Sequence, residues 1–531
     1  MEAGQKIIDM NPDLTTLWNS LNQIDRQNWL QFFATMGAVN AKLAKQHFQN
    51  ISQYKLINLQ SLREEDKQLI QRSGWSFKYL RSNLVNLISE DGVVSENLSD
   101  AERQVKLQQS MVQEGYLYAL CPKTGATLRS NRSLFLTSRW CFYRFEGKEV
   151  FYIISESIVT YLYFPQIECI FHFKVAKVRL KIVESVITNF KSYVVTNAKK
   201  IVSYLIASDS QVKTVGVVGL NKNSTAHHIW DDLPGIQNLY EAGQLNSIDR
   251  LLIPIGCEYY GGIDEIFPEL SSEKVKRVEF VDLGKNILEN NFFGCMLRTG
   301  AGCRFVKENL AQRIYKLSEQ KCSPDFISQV KEAKAKSFPI LWVSFRLGKR
   351  TWISQFKGIT NIIENLSLHF PKLGVIFDGY SRRDIWGSLE LEPQEENYIA
   401  NEKKFLNEIK SCLPKTVNIY DVIGAPMYEA IIWAHNIDLY MAPLGGGLVK
   451  VVSIANKPGI VHGNKLFAKT RGLLYSKNRE NSTQSICIPE EFIVDAEDDM
   501  FTEVNPINRS YDCDWRIIYQ EVLKLVSKLE N

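Results

Sequence analysis

The sequence predicts an α/β protein in which two Rossmann-like domains are preceded by a helical N-terminal module and a β-rich meander. Three observations predict it. Short apolar runs without polar alternation recur from Thr214 onward, as in strands covered on both faces. Stretches with apolar residues at three- and four-residue steps separate them, and this strand–helix alternation implies a parallel sheet. The rhythm pauses between Lys321 and Ser337 and then restarts, giving two runs.

Size and composition bound the reading. With 531 residues there is room for two or three domains. The hydrophobic fraction of 45% and charged fraction of 23% are those of an ordinary globular chain. A net charge of +4 is close to balanced and gives no support for a nucleic-acid groove, which needs a concentrated basic face, so no nucleic acid is expected as a partner. The 10 cysteines form no Cys-x-x-Cys pair and no zinc-site spacing with histidine. They read as small buried hydrophobes in a reducing compartment. The N-terminal MEAGQKIIDMNPDL lacks a basic-then-apolar signal, and the expected location is cytoplasmic. The most apolar window, Val150 to Phe173, contains Glu156, Pro165, Gln166 and Glu168, so it reads as paired strands rather than a lipid span of ~20 residues.

Taken in order, Leu14 to Ile88 has helical periodicity and supports a helical module over 1–110. After Gly115, aromatic and β-branched residues alternate with Lys-Thr-Gly, Ser-Asn and Glu-Gly-Lys turns, giving a β-rich segment over 111–210 that returns to helix from Val175 to Ala207. The first Rossmann-like domain, 211–330, takes TVGVVGL, RLLIPIG and VKRVEFVDLG as strands, with AHHIWDDLPGIQNLYEAG as loop and helix and RFVKENLAQRIYKLSEQ as helix. The Lys- and Ser-rich stretch from Lys321 to Ser337 reads as a linker. In the second domain, 338–490, FPILWVSFR, LGVIFDGY, TVNIYDVIG, IDLYMAP and PGIVHG are strands. Between them ITNIIENLSLHFP, KKFLNEIKSCLP, MYEAIIWAHN and GLVKVVSIANK are helices, and 491–531 is a C-terminal tail and helix.

In doubly wound sheets, ligands lie beyond the carboxyl ends of the strands. Three loops there are chemically loaded: Arg346, Lys349 and Arg350 after WVSF; Asp378 before Gly379 after VIF; and Gly445, Gly446 and Gly447 after YMAP. Glycines admit a ligand close to the backbone, a helix starting near Leu448 offers N–H groups to an anion, and the arginines offer forked donors. Together they make a seat for a nucleotide diphosphate. A tight strand-to-helix turn accounts for the triplet alone, and solvated or capping roles account for the cations and Asp378 singly. No Gly-Lys-Ser/Thr follows the triplet and TVGVVGLNKN lacks the third glycine of a dinucleotide fingerprint, which disfavours ATP hydrolysis and hydride transfer.

A second constellation is STAHHIWDDLPGI, with His227, His228, Asp231 and Asp232 just past a strand end. Histidine and aspartate can each take a proton from an attacking hydroxyl. The structural alternative packs one histidine under the loop and uses an aspartate to cap a helix entered at Leu233-Pro234. Metal binding is not expected, since the stretch supplies too few ligands. DCDW, at Asp512 to Trp515, has a D-x-D form, but Asp514 reads as the N-cap of the last helix. His462 ends a strand near the proposed ligand, and His435 sits at a helix end, placed to interact with its dipole.

The pieces AHHIWDDLPGIQNLYEAG, WVSFRLGKRTW and YEAIIWAHNIDLYMAPLGGGLVKVVSIANKPGIV, in that order, resemble the GT-B fold of nucleotide-sugar glycosyltransferases, and loosely the family 61-type transferases. That family's late loop reads His-Gly-Ala where Leu444-Gly445-Gly446 stands here. The resemblance spans roughly Val212 to Gly463. It implies metal-independent transfer of a sugar from a nucleotide-activated donor to a hydroxyl, in surface glycan or polysaccharide biosynthesis. The donor would lie against the second domain, with Arg346 and Arg350 facing its diphosphate, and the acceptor against the first. Asp231 or Asp232 would be the base, with His227 or His228 next. The partners implied are a nucleotide-sugar co-substrate and a glycan, lipid-linked or protein acceptor, with peripheral membrane association left open and no further cofactor. A GT-B-like epimerase or hydrolase and a non-catalytic glycan- or protein-binding scaffold are the alternatives.

Overall fold

The computed structural model describes residues 54–529 except 93, 96–97, 157–158, 176, 220–224, 300–304, 384–392, 472–476, 484 and 498–505. The helices expected before residue 54 lie outside the described residues. The chain divides into two compact units. One comprises Met1–Lys222, Gly235–Ile255 and Glu269–Cys303; the other comprises Asn223–Pro234, Gly256–Pro268 and Arg304–Asn531.

In the first unit, a meander of five antiparallel strands runs Ser133–Thr137, Trp140–Glu146, Val150–Glu156, Val159–Phe164 and Cys169–His172. Lys55–Asn58 adds a sixth strand parallel to Cys169–His172, which corrects the helical reading of that stretch. Four residues are too few to display a period, and Ile57 is buried against the sheet. Helix Asp100–Glu114 has the expected start and stop: a Ser99/Glu102 capping box and a left-handed Gly115 at φ +75°. Helices Lys177–Thr196 and Ala198–Ile206 cover the meander, where Phe190 stacks on Phe142 at 3.8 Å.

The parallel sheet of this unit orders Val275–Val278, Arg250–Pro254, Lys213–Val217 and Phe292–Met296. The last strand is not evident in the sequence because Gly294 interrupts its apolar run and Asn and Arg flank it in NNFFGCMLRTG. Gly294 is the reason for that composition. A Cβ there would meet the Phe135 ring at 2.3 Å, so glycine lets the meander pack against the strand.

In the second unit, six parallel strands run Ile340–Ser344, Gly374–Asp378, Asn418–Asp421, Leu439–Pro443, Gly459–His462 and Ser485–Cys487. Numbered along the chain, their spatial order is 3-2-1-4-5-6, the doubly wound order that reverses direction between the first and fourth strands. Both faces are covered, which explains the unbroken apolar runs. Leu341, Val343, Val375, Phe377, Leu439 and Met441 share one core with helices Gln355–His369, Pro393–Cys412 and Trp515–Leu529. Helices Glu308–Lys321 and Pro324–Lys336 pack with Met427–Asn436. The second of these occupies the stretch expected to be a linker; Ser323 caps it, its hydroxyl accepting the Phe326 N–H at 3.2 Å, with Pro324 in its first turn.

Candidate functional site

The register fixes where the loops open. Ser344 pairs with Asp378 and Val343 with Met441, so the carboxyl ends of three adjacent strands are nearly level. Beyond them, at the reversal of strand order, lies a cavity of about 650 Å³ whose lining belongs wholly to the second unit. That is a size typical of small-molecule sites. All three loops singled out from the sequence reach it: Arg346 and Lys349, Asp378 and Gly379, Gly446 and Gly447.

Arg346 and the glycine turn converge. A Cβ on Gly445 would fall 2.6 Å from Arg346 Nη2, so the guanidinium lies directly on the bare Cα. None of the three glycines has a positive φ, and hence backbone conformation is not what demands them. Gly445 makes room for Arg346, while a Cβ at Gly447 would meet nothing within 4 Å and one at Gly446 only Ala226 and Thr225 at 3.7 and 3.9 Å. The following helix differs from expectation: Val449–Ile454 is a single π-helical segment. Six residues build little macrodipole, so attraction for an anion falls to Arg346 and Lys349.

The cavity floor is charged but internally paired. Lys450 pairs with Asp378 and donates to Ser381 Oγ at 3.1 Å, and Ser344 Oγ donates to Asp378 Oδ2 at 3.0 Å. Burial pushes the Asp378 carboxyl above its ordinary value despite the pull of Lys450 and Ser344. Asp378 therefore anchors its loop to the π-helix. Nearby, Glu395 accepts from Arg383 Nη2 at 2.7 Å and from the Tyr380 hydroxyl.

Sequence reasoning missed Glu402, which lines the same cavity from helix Pro393–Cys412. Its Oε2 accepts the Tyr380 N–H at 2.7 Å and sits where a Gly379 Cβ would be, 2.2 Å away. Burial, with Asp378 adding to it, pushes this carboxyl up to about 7 against the pull of Tyr380 N–H, Lys450 and Arg346. The only sequence signal was Gly379, a bare position facing a helix rich in glutamate. Because the folded state holds this proton more tightly than the unfolded chain, Glu402 lowers stability as pH climbs from the ordinary carboxyl range to about 7, and the full penalty persists above it. Glu402→Gln is expected to relieve on the order of 2 kcal/mol at pH 8 and almost nothing at pH 4, read from denaturant midpoints. An equal effect at both values would contradict this.

The histidine–aspartate segment packs in the second unit. Thr225–His227 runs into a π-turn, His228–Asp232, and on into helix Leu233–Glu241. Neither aspartate is therefore the expected helix cap. Instead, each reaches back four residues: Asp231 Oδ2 to His227 Nδ1 at 2.6 Å and Asp232 Oδ2 to His228 Nδ1 at 3.4 Å. Both carboxylates are buried, whereas the His227 side chain remains 34% exposed. His228 is buried and stacks on Tyr260 at 5.9 Å. Thr225 and Ala226 line the cavity, and Trp230 Nε1 donates to Ser453 Oγ at 3.1 Å, tying the π-turn to the π-helix after the triplet.

Two expected ligand contacts are placed elsewhere. Arg350 does not line the cavity; its backbone has φ 59° and its guanidinium lies 5.0 Å over the Phe467 ring. His462 is buried, accepts or donates at Nδ1 with the Tyr511 hydroxyl at 2.7 Å, and is held neutral by burial, which lowers its pKa to about 3. Both belong to the packing that seats the cationic loop, where Trp352 pairs with Tyr511 and donates to Asp512 at 2.9 Å. Asp514 accepts the Arg516 N–H at 3.0 Å ahead of helix Trp515–Leu529, as a cap does. His435, against Tyr315 at 4.1 Å, has a pKa lowered by burial to about 4; it is neutral and brings no charge to its helix end.

No family model matches the chain, and no curated protein matches it. Among solved structures it is similar to a glycosyl transferase family 9 protein of Veillonella parvula, at 11% identity over 61% of this chain and 99% of that one, with a TM-score of 0.33. It is also similar to the UDP-GlcNAc 2-epimerase of Methanocaldococcus jannaschii, at 12% identity, 63% and 82% coverage and a TM-score of 0.25. A third is Anabaena Alr3699/HepE in complex with UDP and glucose, at 13% identity, 69% and 86% coverage and a TM-score of 0.20.

Proposed function

We propose that the protein is a GT-B-like glycosyltransferase that holds a nucleotide-activated sugar in the cavity of its second unit and passes the sugar to a hydroxyl acceptor. The observation that carries this reading is the meeting of Arg346 with the glycine turn at the reversal point of a doubly wound sheet. There a diphosphate gains a forked donor in Arg346 and a second cation in Lys349. Gly446 and Gly447 let it approach the backbone.

In the reaction, the acceptor oxygen forms a bond to the anomeric carbon as the bond from that carbon to the diphosphate oxygen breaks. The departing oxygen keeps the electron pair, and Arg346 and Lys349 stabilise the growing charge. The acceptor's proton is assigned to His227, which does not itself line the cavity but follows Thr225 and Ala226 of its wall and keeps a partly exposed ring. In this reading the Asp231 carboxylate, 2.6 Å from Nδ1, holds the ring in the tautomer with its proton on Nδ1 and leaves Nε2 as the base. Asp231 is then a positioning residue, and Asp232 plays the same part for the buried His228.

A nucleotide-sugar epimerase or hydrolase is the second reading, favoured by Glu402 as a titrating carboxyl on the cavity wall. The test is incubation with UDP-, GDP-, CMP- and dTDP-sugars while free nucleotide and sugar products are followed, with and without glycan acceptors. Release that requires an acceptor supports transfer. Turnover without acceptor supports the second reading, and absence of turnover with every sugar nucleotide and acceptor counts against both.

A further inference from the structure

We propose that Glu402 takes up a proton when a nucleoside diphosphate enters the cavity, and meets the bound ligand as a neutral hydrogen-bond donor. This inference rests on the nucleotide-binding reading above and adds to it a protonation state and a sign of pH dependence.

The geometry carries it. Glu402 is one of three acidic side chains on the wall of a cavity that Arg346, Lys349, Arg383 and Lys450 also line. Its position is built: Gly379 leaves it space, and the Tyr380 N–H fixes Oε2 at 2.7 Å. The other acids nearby are already engaged, Asp378 with Lys450 and Glu395 with Arg383. The charged groups around Glu402 come from several elements. Asp378, from strand Gly374–Asp378, repels its charged form; Lys450, from the π-helix, and Arg346, from the loop after Ile340–Ser344, attract it. Lys349 lines the same space. On its own helix, Lys403 is paired with Asp421 at 3.5 Å and Glu395 is held by Arg383. Helix Gln355–His369 brings the Phe356 ring against Phe405.

A diphosphate placed on Arg346 consumes the attraction that favours the ionised carboxyl and sets a second negative charge in the same space. Both effects favour the protonated form. The proton comes from solvent onto a Glu402 oxygen, and no bond of the ligand changes. By linkage, affinity is highest below the pH at which free Glu402 loses its proton and falls as pH rises, because the bound state must still acquire one.

Isothermal titration with uridine, guanosine, cytidine and thymidine diphosphates, at about pH 7 in two buffers of different ionisation enthalpy, reads the proton directly. The expected result is uptake by Glu402 of up to about half a proton at pH 7, approaching one by about pH 8.5, with the rise of Kd steepening over that range toward roughly tenfold per pH unit. Glu402→Gln, titrated alongside, reports the protons exchanged by the phosphate itself; it is expected to lose the extra uptake and bind at pH 8.5 about as tightly as at pH 6.5. Binding with no uptake beyond that variant's, or a wild-type Kd flat with pH after allowance for the free nucleotide's own protonation, would overturn the inference while leaving the nucleotide site intact. Failure of all four diphosphates to bind would overturn both together.

Discussion

Asp378→Ala is expected to lower the stability of the second unit by about 3–5 kcal/mol. The change strips the Lys450 ammonium, 4% exposed at its side chain, of its paired carboxylate and leaves Glu402 on the same cavity wall as the acid that still attracts it. Ser381 Oγ and the Gly379 carbonyl, at 3.1 and 3.4 Å, remain as weak partners and do not neutralise it. Replacing both members, Asp378→Leu with Lys450→Met, is expected to recover most of the loss, because apolar groups of similar volume carry no desolvation penalty. Denaturant midpoints of the three proteins measure this. A single-variant loss below about 1 kcal/mol, or a double variant worse than the single, would contradict a buried pair that locks the loop to the π-helix.

The second large effect concerns turnover. His227→Ala is expected to reduce sugar transfer by about 10²–10⁴-fold with nucleotide affinity unchanged, the range for loss of a positioned base. Asp231→Asn is expected to do less harm but to move the pH–rate profile, since an amide holds the ring without favouring its charged form. Steady-state rates and nucleotide Kd for each variant test this. Wild-type turnover by His227→Ala would remove the imidazole from the mechanism.

Much of the fold was readable because fully buried strands announce themselves: VIF, WVSF and YMAP have no polar alternation to confuse. Lys55–Asn58 and Phe292–Met296 escaped because a four-residue strand shows no period and a glycine needed for packing against Phe135 resembles a break. The site was half legible. Loops at strand ends declare themselves by position, so Arg346, Asp378 and the triplet were visible. Whether Arg350 turned inward was decided by its left-handed backbone and the Phe467 ring, which the sequence does not encode locally. The pairing of His227 with Asp231 and of His228 with Asp232 was not legible in a segment that reads as loop plus helix. A π-turn aligns each aspartate under a histidine four residues earlier and buries it there. Glu402 lay in an ordinary amphipathic helix, and only the cavity sets it apart.

The most direct measurement is the melting temperature of the protein with uridine, guanosine, cytidine and thymidine diphosphates, for wild type and Arg346→Ala. One diphosphate at about 100 times its Kd should stabilise the wild type by about 2.7 kcal/mol, and the variant should lose that gain while melting normally without ligand. A wild type indifferent to all four, or an Arg346→Ala protein stabilised as strongly, would contradict an anion seat built from the arginine and the glycine turn.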